Sequence, residues 1–159
     1  MMSKYDDAIK LMDECCGNGK EIIIALATIS LEPGVEGKPR PANRMLCAYY
    51  EDGNFFVSTD AQSNKVLQIE HNNDVTIAGL DGFSFQGIAE NLGWVGGEKN
   101  RHIRDKFKQT FDWFDSEGDE NNPDSIVLLI SPTIGSITDF EARYGQRVFE
   151  VDFIEQIAH

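Results

Sequence analysis

Apolar residues between positions 3 and 16 recur at helical spacing. Tyr5, Ile9 and Met12 share one face, with Ala8 and Leu11 alongside, and Gly17-Asn18-Gly19 ends the run. The segment EIIIALATIS is β-branched and short, the signature of a buried strand. A Pro/Gly-rich loop, EPGVEGKPRP, leads to RMLCAYY, EDGN and FFVSTD, where Asp52-Gly53 between two aromatic-rich runs signals a β-hairpin. Gln62 to His71 reads as a short helix with Val66, Leu67 and Ile69 inward. DVTIAG and FSFQGIAEN read as two further strands. From Gly97 to Ser116, Ile103, Phe107, Phe111 and Phe114 keep a helical period, predicting one amphipathic helix over one face or end of the sheet. The acidic loop SEGDENNPD separates it from IVLLIS, and IGSITDF and RVFEVDFI complete the strand-like runs.

This order is a meander of antiparallel hairpins with interspersed helices, without the strand–helix alternation of a doubly wound sheet. Residues 1–159 contain no repeat and no linker, and 159 residues fit one domain with a single core. The expected architecture is mainly β within the α+β class: a small antiparallel barrel with covering helices, closure removing the sheet edges.

Charge narrows the partners. The chain carries 14 Lys+Arg against 27 Asp+Glu, a formal net charge of −13. Such a surface opposes a nucleic-acid partner, which needs a basic face. A local basic pocket can still hold a small anion, because distant charge is screened. The first residues are mixed and charged rather than a leader, and no apolar run is long enough to cross a bilayer. Cys15, Cys16 and Cys47 form no disulfide framework. The expectation is a soluble cytoplasmic protein.

Several chemistries are absent. Gly17-Asn18-Gly19-Lys20 is not a phosphate loop, because Glu stands at positions 14 and 21. His71, His102 and His159 have no metal-site spacing with the cysteines, and no serine sits in a nucleophile elbow. With no catalytic acid, base or nucleophile evident, a cofactor is expected to carry any chemistry.

One junction stands out. In RMLCAYY the residues Arg44, Leu46, Ala48 and Tyr50 share a face. Across the hairpin the returning strand ends at Thr59, and the next helix starts near Ser63 with Lys65 in its first turn. Free N–H groups and the positive dipole end of a helix favour an anion, and Arg44 adds a bidentate grip from the neighbouring strand. The same residues also fit a plain reading, with Ser63 as a helix cap, Lys65 in solvent and Arg44 paired with a carboxylate.

The runs RMLCAYY, DGNFFVSTD, SNKVLQIEHNNDVTIAG and GIAE (Gly87–Glu90) resemble the pyridoxamine 5′-phosphate oxidase-like family of flavin-binding split barrels, most closely over residues 20–92. The resemblance implies a split β-barrel of antiparallel strands with flanking helices, and a homodimer with FMN in a cleft at the subunit interface. By position, Arg44 and Lys65 would hold the FMN phosphate, and Ser58 and Thr59 would meet the phosphate–ribityl region with Ser63 nearby. Leu46 and Cys47 would line the ring through backbone groups, and Gln68 would either join them or support its helix. The departures are Asn64 where the oxidase has Arg, Tyr49 where Lys is common, and a C-terminal RVFEVDFIEQIAH without the oxidase's Trp and Arg motif. Trp94 and Trp113 lie elsewhere. Vitamin B6 oxidation is therefore not expected. The chain looks more like the family's small general stress proteins and flavin reductases, acting as an FMN-dependent oxidoreductase on a small molecule. The alternative is a non-catalytic flavin or haem store, for which His71 or His102 would be the axial ligand.

Overall fold

The computed structural model describes residues 1–117 and 120–159. Helix α1 (Lys4–Cys16) starts in a capping box: Ser3 Oγ accepts from the Asp6 amide at 3.1 Å, and the Asp6 carboxylate accepts from the Ser3 amide at 2.9 Å. Strands β1 (Ile22–Ile29), β2 (Pro41–Glu51) and β3 (Asn54–Asp60) follow. Between β2 and β3, Asp52 and Gly53 both take positive φ, 50° and 82°, the geometry that a two-residue hairpin turn requires. Helix α2 (Asn64–His71), β4 (Asp74–Gly79) and β5 (Phe83–Trp94) come next. Then α3 (Arg101–Thr110), α4 (Phe114–Glu117), β6 (Ser125–Thr138), β7 (Val148–Asp152) and β8 (Ile157–Ala158) complete the chain.

All pairings are antiparallel. The order β3-β2-β1-β4-β5-β6 closes through β3–β6 into a six-stranded barrel, and β7 and β8 extend from β6 outside it. The expected split-barrel architecture is thus the observed one. Inside the barrel, Ile24, Leu26, Phe55, Phe85, Leu128 and Ile130 meet, and α1 seals them with Ala8, Leu11 and Met12. A second apolar cluster lies outside the wall, where Phe107, Phe111 and Phe114 pack on Tyr49, Phe56 and Val127.

Four details differ from the sequence-based reading. Strand β2 begins at Pro41, within the segment read as loop. IVLLIS and IGSITDF form the single strand β6. Pro132 is tolerated there because the β5–β6 register shifts between Gln86 and Gly87, opposite it. A Cβ on Gly87 would fall 2.8 Å from the Ser131 carbonyl oxygen, so only glycine allows the approach. The helix predicted over 97–116 is broken, since Phe111 is extended (φ −105°, ψ 105°) between α3 and α4. Both sides bury phenylalanines in the same cluster, which is why the period looked continuous. On α2, Gln68 is buried while Leu67 is only half-buried.

The three cysteines are free thiols, and no helix among the described residues is long and apolar enough to cross a membrane. No cluster of metal-ligating side chains occurs among them.

Candidate functional site

Strands β2 and β3 pair only where Tyr49, Tyr50 and Glu51 face Phe56, Phe55 and Asn54. Beyond that short ladder they part: β2 stays on β1 down to Pro41, while β3 follows β6 down to Asp60. The parting opens a cleft of about 320 Å³ between Met45, Leu46 and Cys47 on one side and Val57 and Ser58 on the other, with Trp113 and Glu117 adding the helical wall. Along the cleft the edge of β2 has no ladder partner among the described residues, so its backbone groups are available to a ligand.

Ser58 Oγ is buried and has no hydrogen-bond partner, the only such side-chain atom among the described residues. A buried hydroxyl left unpaired is costly, and this one calls for a partner from outside the described chain, a water or a ligand group.

The basic end is tightly built. Arg44 Nη1 donates to Thr28 Oγ1 at 2.7 Å and Nη2 donates to Gln68 Oε1 at 2.9 Å. The Thr28 hydroxyl in turn donates to Gln68 Oε1 at 2.5 Å. Thr28 and Gln68 are both buried, so the guanidinium is held by neutral acceptors. Lys65 Nζ donates to Thr59 Oγ1 at 2.8 Å. Burial, and next the Arg44 guanidinium, hold the Lys65 ammonium below its usual range against the opposing pull of Asp60; burial also lowers Arg44. Among the described residues neither cation is in an ion pair, in a chain with a large excess of carboxylates.

The plain reading of these residues is not met at the two cations, and at Ser63 it is met in position only. Arg44 has no carboxylate partner and Lys65 is turned into the protein. Ser63 is the N-cap of α2, but its Oγ donates to the Asp60 carbonyl at 2.7 Å instead of accepting from the helix. The first amides of α2 are left without a side-chain cap. Asn64, at the first position of α2, is exposed. Cationic groups with uncapped amides beside them are the elements from which anion sites are built.

The opposite end is aromatic and acidic. Trp113 stacks on Phe111 (centroids 4.8 Å apart, planes 14°) and its Nε1–H donates to Glu21 Oε1 at 2.6 Å. Burial, together with hydrogen bonding to Glu21, pushes the Cys47 thiol up to about 11.

Of the sequence-selected residues, Leu46, Cys47 and Ser58 line the cleft, and Arg44, Thr59, Ser63, Lys65 and Gln68 build the basic end. Gln68 orients Arg44 from behind. Sequence reasoning missed Thr28, although its alternation with Ile22, Ile24 and Leu26 pointed it inward as the lone hydroxyl of that face. It also missed Glu21, Trp113 and Glu117, which carried no local signal. His71 lies in a separate groove with Glu70, Asn72 and Glu90, and His102 Nε2 is tied to the Glu51 carboxylate at 2.8 and 2.9 Å.

No family model matches the sequence, and no curated protein matches it. Solved structures do match. The haem storage protein HutZ from Vibrio cholerae is 14% identical over 93% of this chain and 98% of its own, with a TM-score of 0.61. A protein related to general stress protein 26, of the pyridoxinephosphate oxidase family, from Clostridium acetobutylicum is 16% identical over 96% of both chains, with a TM-score of 0.57. A pyridoxamine 5′-phosphate oxidase-related, FMN-binding protein from Nostoc punctiforme is 14% identical over 99% of this chain and 95% of its own, with a TM-score of 0.56. Likeness at this level of identity establishes the shared fold, and the cleft chemistry must speak for the rest.

Proposed function

We propose that the chain is an FMN-binding protein of the pyridoxamine 5′-phosphate oxidase-like family and works as an oxidoreductase on a small molecule. The carrying observation is the split between β2 and β3, where Ser58, whose buried hydroxyl has no partner, lines a cleft next to Arg44 and Lys65, two cations in no ion pair among the described residues. In this reading Arg44, Lys65 and the uncapped start of α2 hold the phosphate, and Ser58 and Thr59 meet the phosphate–ribityl region. The free edge of β2 at Leu46 and Cys47 hydrogen-bonds the ring. Thr28 and Gln68 keep Arg44 aimed. FMN, when bound, supplies a two-electron carrier in its ring. The protein's part is to anchor it, orient it and exclude water.

The partner in this reading is a second copy of the chain. The outer faces of β1 and β2 bring Ile23, Ala25, Met45 and Cys47 into one apolar patch beside the cleft, and Ile23 and Met45 are 45% and 60% exposed. Docking there places the cleft at a subunit interface. Free thiols fit the reducing cytoplasm. A haem store has less to support it, since neither His71 nor His102 lines the cleft of its own chain.

Titration of the protein with FMN, followed by loss of flavin fluorescence, tests the reading. Arg44→Ala removes a charge-assisted contact of about 1.5–3 kcal/mol and should weaken FMN binding by about tenfold or more. Equal affinity in the variant would falsify the phosphate assignment.

A further inference from the structure

Trp113 and Glu117 stand on the wall of the cleft, outside residues 20–92, where the sequence resemblance is strongest, and Glu21 is joined to both Trp113 and Cys47. One indole face rests on Phe111, and Glu21 fixes the ring through its N–H. Among the described residues the Glu117 carboxylate has no ion-pair partner, and Glu21 has none either. The cleft wall is aromatic and anionic at Trp113, Glu21 and Glu117, while the cations Arg44 and Lys65 lie beyond its lining, next to Met45 along β2 and bonded to Thr59 after Ser58. A fixed aromatic ring with carboxylates beside it suits a flat cation, through stacking and the attraction of positive charge to a π face. It also repels a flat anion, in the same sense as the overall charge of −13.

We propose that this wall is the recognition site for the second substrate of the cleft, a planar aromatic molecule that is cationic or uncharged, and that it discriminates against anionic ones. Describing the molecule as a substrate rests on the flavin reading above; the charge preference of the wall does not. Trp113 supplies the stacking surface and Glu117 the charge selection, while Glu21 positions the indole. Phosphorylated substrates are disfavoured at this end, so the cleft takes its one phosphate at the other.

The chain has two tryptophans, so Trp94→Phe leaves Trp113 as the only indole reporter. In that background, quenching of Trp113 fluorescence is titrated with two probes of equal size, N-methylquinolinium and naphthalene-2-sulfonate, with and without saturating FMN. The expected result is tighter binding of the cation by about tenfold at low salt, shrinking several-fold when about 0.5 M salt screens the rim. Glu117→Gln should reduce the ratio in the FMN-free arm, where the charge preference of the wall is read without the cofactor. Because Glu117 is on the surface, this variant is expected to fold, and unaltered circular dichroism checks it.

Equal binding of the two probes, or a ratio indifferent to Glu117→Gln, overturns the proposal. So does a cation preference that FMN abolishes competitively, because the probe would then be occupying the flavin's own seat. Failure of FMN to bind at all is read in the separate FMN titration and strikes the cofactor reading alone; the FMN-free arm still decides the charge preference.

Discussion

Gln68 accepts a hydrogen bond from Arg44 at 2.9 Å from a position that is only 7% exposed. The amide oxygen also takes the Thr28 hydroxyl, so one neutral acceptor orients a half-buried cation without neutralising it. Two substitutions separate aim from charge. Gln68→Leu leaves Arg44 and Thr28 short of an acceptor and should cost about 1–3 kcal/mol of stability, with weaker FMN binding. Gln68→Glu keeps an acceptor in place but presents Arg44 with a carboxylate. Its fold should be better preserved than that of the Leu variant, and its FMN affinity should be the lower of the two. Urea midpoints and FMN titrations give both orderings; a Glu variant that binds FMN like the wild type means that the anion does not sit at Arg44.

Ser58 offers the opposite test, in which stability and binding move apart. Its Oγ is buried without a partner, so Ser58→Ala removes an unsatisfied group and should leave the unfolding free energy unchanged or raise it by about 1 kcal/mol. On the proposed function the same change deletes a hydrogen bond to FMN and should weaken its binding by about 0.5–1.5 kcal/mol. A variant that is less stable than the wild type would show that the hydroxyl already has a partner within the protein.

The hairpin was legible because Asp52-Gly53 is a local device, and its two positive φ angles need nothing from the rest of the chain. The break at Phe111 was not, because Phe107, Phe111 and Phe114 keep their period while the backbone changes direction. Side-chain periodicity reports what is buried and not how the chain arrives there. The fusion of two runs into β6 was hidden by Pro132, which normally argues against a continuous strand and here sits opposite a bulge. Within the site, Arg44, Ser58 and Lys65 stand in or beside one hairpin and could be read together. Thr28, Gln68 and Arg44 are joined across separations of 16, 24 and 40 residues, and only the closed barrel brings them into contact.

On the proposed function, Lys65 makes anion binding depend on pH. Burial and Arg44 depress its folded-state pKa, so the folded protein holds this proton less tightly than the unfolded chain does. The resulting penalty on folding is fully present below the folded pKa and is relieved as pH rises through it towards the unfolded value. A bound anion beside Lys65 offsets the penalty only while the ammonium is charged. Sulfate keeps its charge across this range, so its thermal stabilisation of the protein should be largest near neutral pH and fade in the alkaline region. The Lys65→Met variant should lack the pH-dependent part and keep only the general salting effect. A sulfate shift with the same pH profile in both proteins would remove Lys65 from the site.

On the proposed function, the apolar patch on the outer wall ties assembly to cofactor. Ala25 pairs with both Met45 and Ala78, and Ile23 pairs with Cys47, so three neighbouring strands present small or apolar side chains outward next to the cleft. A stable dimer needs about 800 Å² buried per partner, with a centre that tolerates no unpaired charge. Ile23 is 45% exposed in the single chain, so Ile23→Asp should leave the barrel folded, with stability changed by about 0.5 kcal/mol or less in the monomer. In a dimer docked through this face, the same carboxylate is buried twice about the symmetry axis. Sedimentation should then show monomer where the wild type is dimeric, and FMN affinity should fall with it, because half of the cleft's surroundings is lost. A variant that stays dimeric moves the interface to another face. One that becomes monomeric yet binds FMN with full affinity places the flavin wholly within one chain, between β2 and β3.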